Sequence, residues 1–77
     1  GFNMLLSALD KNINAKIIKI DCKDELKQRF YSFGLIQGTQ VSIEKISPTK
    51  GAIVLLVDDT SVAIRLDEAR YIKVEVI

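Results

Sequence analysis

The segment from Asp24 to Val41 constrains the fold most, because eighteen residues predict a helix, its end and the start of a strand. Leu26, Phe30 and Phe33 are spaced i, i+4 and i+7, so they share one helix face. We expect that face to cover the core. Asp21 or Asp24 would cap the start of the helix, and the sequence does not decide between them.

Gly34 follows the last apolar residue of the helix, where a left-handed C′ residue ends many helices. If Gly34 is C′, Leu35 is C″ and Phe30 is C3, and these two residues should be in contact. Gly38 then allows a second tight turn before the chain enters a strand. The same glycines follow a helix instead of preceding one, which argues against a phosphate-binding loop.

Short segments with alternating or isoleucine- and valine-rich sequence predict a mainly β protein with about five strands. The predicted strands are Ala15–Ile20, Thr39–Ser47, Ala52–Val57, Ser61–Leu66 and Tyr71–Ile77. Ile46 breaks the alternation of Val41 and Ile43, which predicts a bulge near Lys45. The third strand is apolar throughout, so we expect it to be central.

Tight connections between these strands favour a small, partly closed antiparallel β-barrel. Turns are predicted at 48–51 and 58–60, and Asp67 would cap a single helical turn. The one long helix falls between the first and second strands, where it would cover an open end of the barrel.

The composition bounds the function through charge and cysteine content. The 77 residues fit one domain, and the net charge of +1 comes without a basic run, which argues against binding to nucleic acid or membrane surfaces. Cys22 is the only cysteine, so no internal disulfide forms, and a cytoplasmic location is expected. No apolar run is long enough to span a membrane. Residues 1–3 are interpreted as an added remnant, with Met4 as the natural start.

Candidate catalytic and metal-binding groups are few. Histidine is absent, so neither Cys22 nor any serine has a histidine to activate it. The neighbouring carboxylates of Asp58 and Asp59, and of Asp67 and Glu68, fall in predicted turns, where solvated capping groups are typical. We therefore predict that the chain is not an enzyme and has no cofactor or metal site.

The remaining candidates lie on the surface. Tyr31 falls off the apolar face of the helix, and Ile36 lies in the following turn without a clear place in the core. Exposed tyrosine and aliphatic side chains are common contact residues. Arg65 and Arg70, near the end of the fourth strand, are either solvated or part of a contact.

The order and spacing of several short motifs resemble those of the FeoA family, ferrous iron transport protein A. The motifs are Leu6-Ser-Ala-Leu9, Ala15–Ile20, Leu26-Lys-Gln-Arg29, Phe33-Gly-Leu-Ile-Gln-Gly-Thr-Gln-Val41, Pro48 and Val62-Ala-Ile-Arg-Leu-Asp-Glu-Ala69. The resemblance covers residues 4–77 as a single domain. It implies an SH3-like β-barrel in a bacterial cytoplasm.

The resemblance also implies a partner, the membrane GTPase-permease FeoB, and a supporting or regulatory role in ferrous iron transport. Tyr31, Leu35 and Ile36, on the outer side of the helix and turn, are then the predicted partner-binding residues, and Gly34 and Gly38 are structural turn residues. The protein would be recruited to the inner face of the membrane by its partner, without inserting. A weak homo-oligomer is left open.

Two other functions remain as alternatives. The domain also resembles the C-terminal module of iron- and manganese-dependent repressors, although the chain has no helix-turn-helix segment. Direct ferrous ion binding by a chaperone is the second alternative. Recognition of proline-rich peptides needs an aromatic-lined groove, for which the chain offers only Tyr31 and Tyr71 and no tryptophan.

Overall fold

Six strands form one antiparallel sheet within residues 2–77, the part of the chain that the structure, a computed structural model, describes. The strands are β1 (Phe2–Leu5), β2 (Ala15–Ile20), β3 (Gln40–Ser47), β4 (Ala52–Val57), β5 (Thr60–Arg65) and β6 (Ile72–Val76). Their order across the sheet is β1-β6-β2-β3-β4-β5. The helices are α1 (Asp24–Ser32) and the short α2 (Leu66–Ala69), and 3₁₀ turns form at Leu6–Ala8 and Pro48–Lys50.

The mainly β class and the antiparallel arrangement predicted from the sequence are confirmed, but the predictions of about five strands and of a partly closed barrel are wrong. The extra strand is β1, where Phe2 pairs with Val76 and Leu5 with Lys73. Four residues carry too little periodicity to indicate a strand, and Phe2 and Asn3 fall within residues 1–3, which the sequence alone suggests are an added remnant. Within the described residues β1 and β5 do not pair, so the sheet stays open. α1 connects β2 to β3, and the placement of this helix over an open end of the fold stays a prediction.

Aliphatic side chains from every strand except the edge strand β1 fill the core. The buried residues are Leu6, Leu9, Ala15, Ile17, Phe30, Leu35, Val41, Ile43, Ile53, Leu55, Val57, Val62, Ile64, Ala69, Ile72 and Val74. β4 lies between β3 and β5, as its apolar sequence predicts, and its outward side chains are half-buried as well.

Bulges in two strands explain where the apolar alternation fails. In β3, Ile43 pairs with Leu55 and Lys45 with Val54, so Glu44 is the extra residue and the predicted bulge is confirmed. In β2 the register shifts between Ile17 and Lys19. Such bulges bend a strand and increase its twist.

The end of α1 is a Schellman motif, as predicted. Gly34 has φ of +84°, its N–H donates to the Tyr31 carbonyl at 3.0 Å, and the Leu35 N–H donates to the Phe30 carbonyl at 2.9 Å. Phe30 and Leu35 are both fully buried. The chain therefore reverses at Gly34 and returns over the core to β3.

The predicted helix caps are wrong. Lys23 occupies the N-cap of α1 without a side-chain hydrogen bond, and Asp24 is the first helical residue. Its carboxylate still lies in the first turn, where the helix dipole favours negative charge. Arg65, not Asp67, precedes α2, and its N–H donates to the Glu68 carboxylate at 3.0 Å. Within residues 2–77, no helix has the length and apolar character needed to cross a membrane.

Candidate partner-binding surface

Tyr31 and Ile36, two of the three predicted contact residues, are exposed at the C-terminal end of α1 and in the following turn. Their exposed fractions are 49% and 47%. Both are large and apolar, and side chains of this kind often anchor protein–protein contacts. Their role in binding a partner stays a prediction.

The prediction that Leu35 faces a partner is wrong, because its side chain is completely buried. The Schellman motif places C″ against the helix that it ends, so Leu35 packs inward with Phe30. Burial of Leu35 therefore fixes the turn that exposes Ile36.

The prediction that Phe33 belongs to the core is also wrong. Phe33 is the C-cap of α1, outside the regular helix, and its side chain is 36% exposed. The Arg29 guanidinium carbon lies 6.0 Å from the centre of its ring. Leu26 is half-buried and packs at the margin of the core, so Phe30 is the residue of this face that is fully buried.

Tyr31 lies beside two isoleucines of β2, of which Ile20 also packs against the core, an association that the sequence did not predict. Ile18 and Ile20, both half-buried, line a shallow depression of about 310 Å³ together with Tyr31 and Gln37. Ile36 immediately precedes Gln37 in the loop that hydrogen bonds to β2. We call Ile18, Ile20, Tyr31 and Ile36 the helix–strand patch.

Hydrogen bonds hold the loop of the helix–strand patch against β2. The Gly38 N–H donates to the Ile17 carbonyl at 2.7 Å, and the Ile17 N–H donates to the Thr39 carbonyl at 2.9 Å. Gly38 has φ of +93°, a conformation that glycine adopts without strain. The patch is therefore carried by an anchored loop, a helix end and a strand.

Lysine side chains border the helix–strand patch. Lys19 of β2 and Lys27 of α1 line the same depression as Tyr31. Apolar contact residues with charged residues around them are the usual organisation of a protein–protein interface. The geometry suits an apolar partner segment with acidic residues beside it.

Arg29 connects the other side of α1 to α2. Its two terminal nitrogens donate to the two Glu68 carboxylate oxygens at 2.9 and 3.1 Å. The Glu68 side chain is only 13% exposed and also accepts the Arg65 N–H. This bidentate pair replaces the helical pair between Glu25 and Arg29 that spacing alone would favour.

The other predicted chemical groups lie apart from one another. Asp58 and Asp59 form the two-residue turn between β4 and β5, with φ of 48° and 67°, and both are exposed. Within residues 2–77, no three His, Cys, Asp or Glu side chains are grouped as a metal ion would require. Burial raises the pKa of the half-buried Cys22 thiol, while Lys27 opposes this shift.

A family model and a sequence relative both relate this chain to FeoA-type proteins. The family model described as the FeoA domain matches residues 4–76. The chain is 38% identical to the Putative Fe(2+) transport protein A of Campylobacter jejuni over 76 residues, which cover 96% of this chain and 100% of that protein.

Solved structures with the same fold include one of similar length and one that is much longer. An iron uptake regulatory protein, FeoA, superposes with a TM-score of 0.91 at 21% identity and covers 99% of this chain and 100% of its own. The T. acidophilum protein IdeR superposes with a TM-score of 0.86 at 29% identity, covering 97% of this chain but only 34% of its own. The domain therefore also resembles part of a longer protein.

Proposed function

Because this chain belongs to the FeoA domain family, we propose that it is an accessory protein of ferrous iron transport that binds the cytosolic region of a FeoB-type transporter. The proposed role is binding, not catalysis, and the proposed location is the cytoplasm, at the inner face of the membrane while the partner is bound. The relatives' iron-transport names support the process.

The helix–strand patch is the observation that carries the binding role. It exposes Tyr31 beside two half-buried isoleucines, Lys19 and Lys27, and Ile36 is exposed in the adjoining loop, next to Gln37 of the same depression. Burying such apolar area contributes roughly 25 cal/mol per Å² before the costs of association. We propose that an apolar segment of the transporter's cytosolic region occupies this patch.

A pull-down tests the proposed partnership. The chain, immobilised through its C-terminus, should retain the transporter's cytosolic region at micromolar concentration, and deletion of its gene should reduce Fe(II) uptake. No retention together with normal uptake would contradict the proposal.

A second candidate function is a metal-responsive module of a repressor, which the likeness to IdeR and the shared fold of a manganese-dependent transcriptional repressor support. Calorimetric titration with Fe(II) under anaerobic conditions separates a metal-responsive or iron-carrying role from the accessory role. A dissociation constant tighter than about 1 μM would favour metal binding.

A further inference from the structure

Basic side chains from separate parts of the sequence meet in one surface depression. Lys50, Arg65 and Arg70 line a depression of about 720 Å³ together with Leu66 and Asp67. The basic residues are five or more positions apart in the sequence, so no basic run indicates them. They lie outside the helix–strand patch.

Lys50, Arg65 and Arg70 come together where β5 ends, beside the start of β4. Arg65 pairs with Ala52 across the sheet, and the Leu66 N–H donates to the Gly51 carbonyl at 2.7 Å. Lys50 ends the 3₁₀ turn that directly precedes Gly51, so this hydrogen bond holds Lys50 beside Arg65. α2 then returns the chain so that Arg70 lines the same depression.

The depression continues into a second basic area through Arg70. Arg70 also lines a neighbouring depression with Lys19 and Lys73, which pair across β2 and β6. The guanidinium carbon of Arg70 lies 5.9 Å from the centre of the Tyr71 ring. This cation–π contact favours a position of the Arg70 side chain beside Tyr71, which lines the same depression. We call Lys19, Lys50, Arg65, Arg70 and Lys73 the basic surface.

The acidic groups that line these depressions offset only part of the positive charge. They are Asp67 in the first depression and Asp21 in the second, against five cations. Glu68, next to Asp67, is held in its pair with Arg29. The basic surface therefore carries a local excess of positive charge in a chain whose net charge is only +1.

The extent of the basic surface favours a peptide over a single anion as its ligand. The cations are spread along two adjoining depressions, and arginine forks bind carboxylates in bidentate geometry. Apolar side chains, Leu5, Leu66 and Tyr71, lie among them. Lys19 also borders the helix–strand patch, so the two surfaces adjoin. Mixed apolar and basic lining suits protein side chains better than a sugar–phosphate backbone.

We propose that the basic surface binds an acidic segment of a partner protein through the segment's carboxylates. The proposal concerns the chemistry of that segment and does not depend on the partner being a transporter.

Fluorescence anisotropy with the full chain and labelled hexaglutamate tests the proposal. Hexaglutamate should bind at least about tenfold more tightly than hexaglutamine, and added salt should weaken it because the contacts are exposed. In ¹⁵N spectra, the amides of Gly51, Arg65 and Arg70 should shift on binding.

Charge-neutralising variants locate the site. Arg65→Gln with Arg70→Gln should weaken hexaglutamate binding about tenfold, and Lys50→Gln with Lys73→Gln, an independent pair of exposed residues, should also weaken it. The matched control is Lys16→Gln, at the end of the sheet opposite Arg65, which should retain affinity within about twofold.

Several results would overturn the proposal. These are equal binding of hexaglutamine, wild-type affinity in both pairs of variants with unchanged circular dichroism, or tighter binding of inorganic phosphate or hexathymidylate than of hexaglutamate.

Discussion

At the scale of single residues, Gly34 has the backbone conformation on which the end of α1 depends. Its φ is +84°, and a Cβ placed there would lie 3.6 Å from Val57 Cγ1, an ordinary contact. The cost of a side chain is therefore backbone strain and not a clash. Gly34→Val should lower the free energy of unfolding by about 1–2 kcal/mol or more, measured by urea denaturation.

Gly34→Asn is the matched control, because asparagine tolerates the left-handed region better than a β-branched residue. It should be less destabilising than Gly34→Val. An unchanged urea midpoint for Gly34→Val would show that the Schellman motif does not hold this turn.

Cys22 supplies a second test at the residue scale. Burial raises its pKa, Asp21 and Asp24 raise it further, and Lys27 lowers it. Because only the thiolate reacts, iodoacetamide should modify the folded chain with a midpoint at higher pH than the urea-unfolded chain. Lys27→Gln should raise that midpoint further. A folded midpoint at or below the unfolded one would contradict this environment.

The same shift in pKa links Cys22 to stability. The folded thiol holds its proton more tightly than the unfolded thiol, so its stabilising contribution to the free energy of unfolding is fully present below the unfolded pKa. It is lost as pH rises through the higher folded pKa. Cys22→Ala should reduce the decline in stability over that alkaline range.

At the scale of secondary-structure elements, the Arg29–Glu68 pair joins α1 to α2. Arg29 is 46% exposed, so solvent screens its charge, whereas Glu68 is largely buried and also accepts the Arg65 N–H. We expect Glu68→Ala to destabilise the chain more than Arg29→Ala, because Glu68 loses both interactions.

A double-mutant cycle measures the pair directly. The coupling between Arg29→Ala and Glu68→Ala should be about 0.2–1 kcal/mol and should decrease in high salt. Zero coupling at low salt would show that the pair does not connect the helices.

The elements also show what the sequence predicts and what it cannot. The end of α1 was predictable because Gly34 and its apolar neighbours act locally, and the β3 bulge because Ile46 breaks the alternation. The Schellman geometry also predicts that Leu35 is buried. The prediction of Leu35 as a partner-binding residue conflicts with that geometry and is wrong. β1 was not predictable, since four residues hold a strand only through pairing with distant β6.

Long-range pairing also explains why the surfaces were only partly predictable. Tyr31 and Ile36 are visible in the sequence because they fall off the apolar pattern. Ile18 and Ile20 come beside Tyr31 only because α1 lies next to β2 in the fold. The basic surface depends on contacts between β5, α2 and the 3₁₀ turn at 48–50 and on the pairing of β2 with β6, which no local pattern indicates.

At the scale of the whole molecule, the neighbouring residues Leu35 and Ile36 distinguish a side chain that stabilises the fold from one that is available for binding. Leu35→Ala removes a fully buried side chain and should cost about 2–5 kcal/mol of unfolding free energy. Ile36→Ala, at an exposed position, should change stability by less than about 0.5 kcal/mol. Thermal unfolding of both variants checks this, and similar losses would place Ile36 in the core.

The whole molecule thus presents an apolar helix–strand patch beside a basic surface on one small sheet. The patch carries the proposed transporter contact, and the basic surface adds a preference for acidic residues. The family likeness supports the iron-transport setting.

Calorimetric titration of the chain with the cytosolic region of a FeoB-type transporter tests the central claim most directly. Wild-type protein should bind, and Tyr31→Ala and Ile36→Ala should each weaken binding about fivefold or more without loss of stability. Ile13→Ala is the matched control, an isoleucine that is 38% exposed and lies two residues before the start of β2, whereas Ile20 ends that strand. It should bind as wild type does. Unchanged affinity in both patch variants, or equal loss in Ile13→Ala, would contradict the assignment of the helix–strand patch as the docking surface.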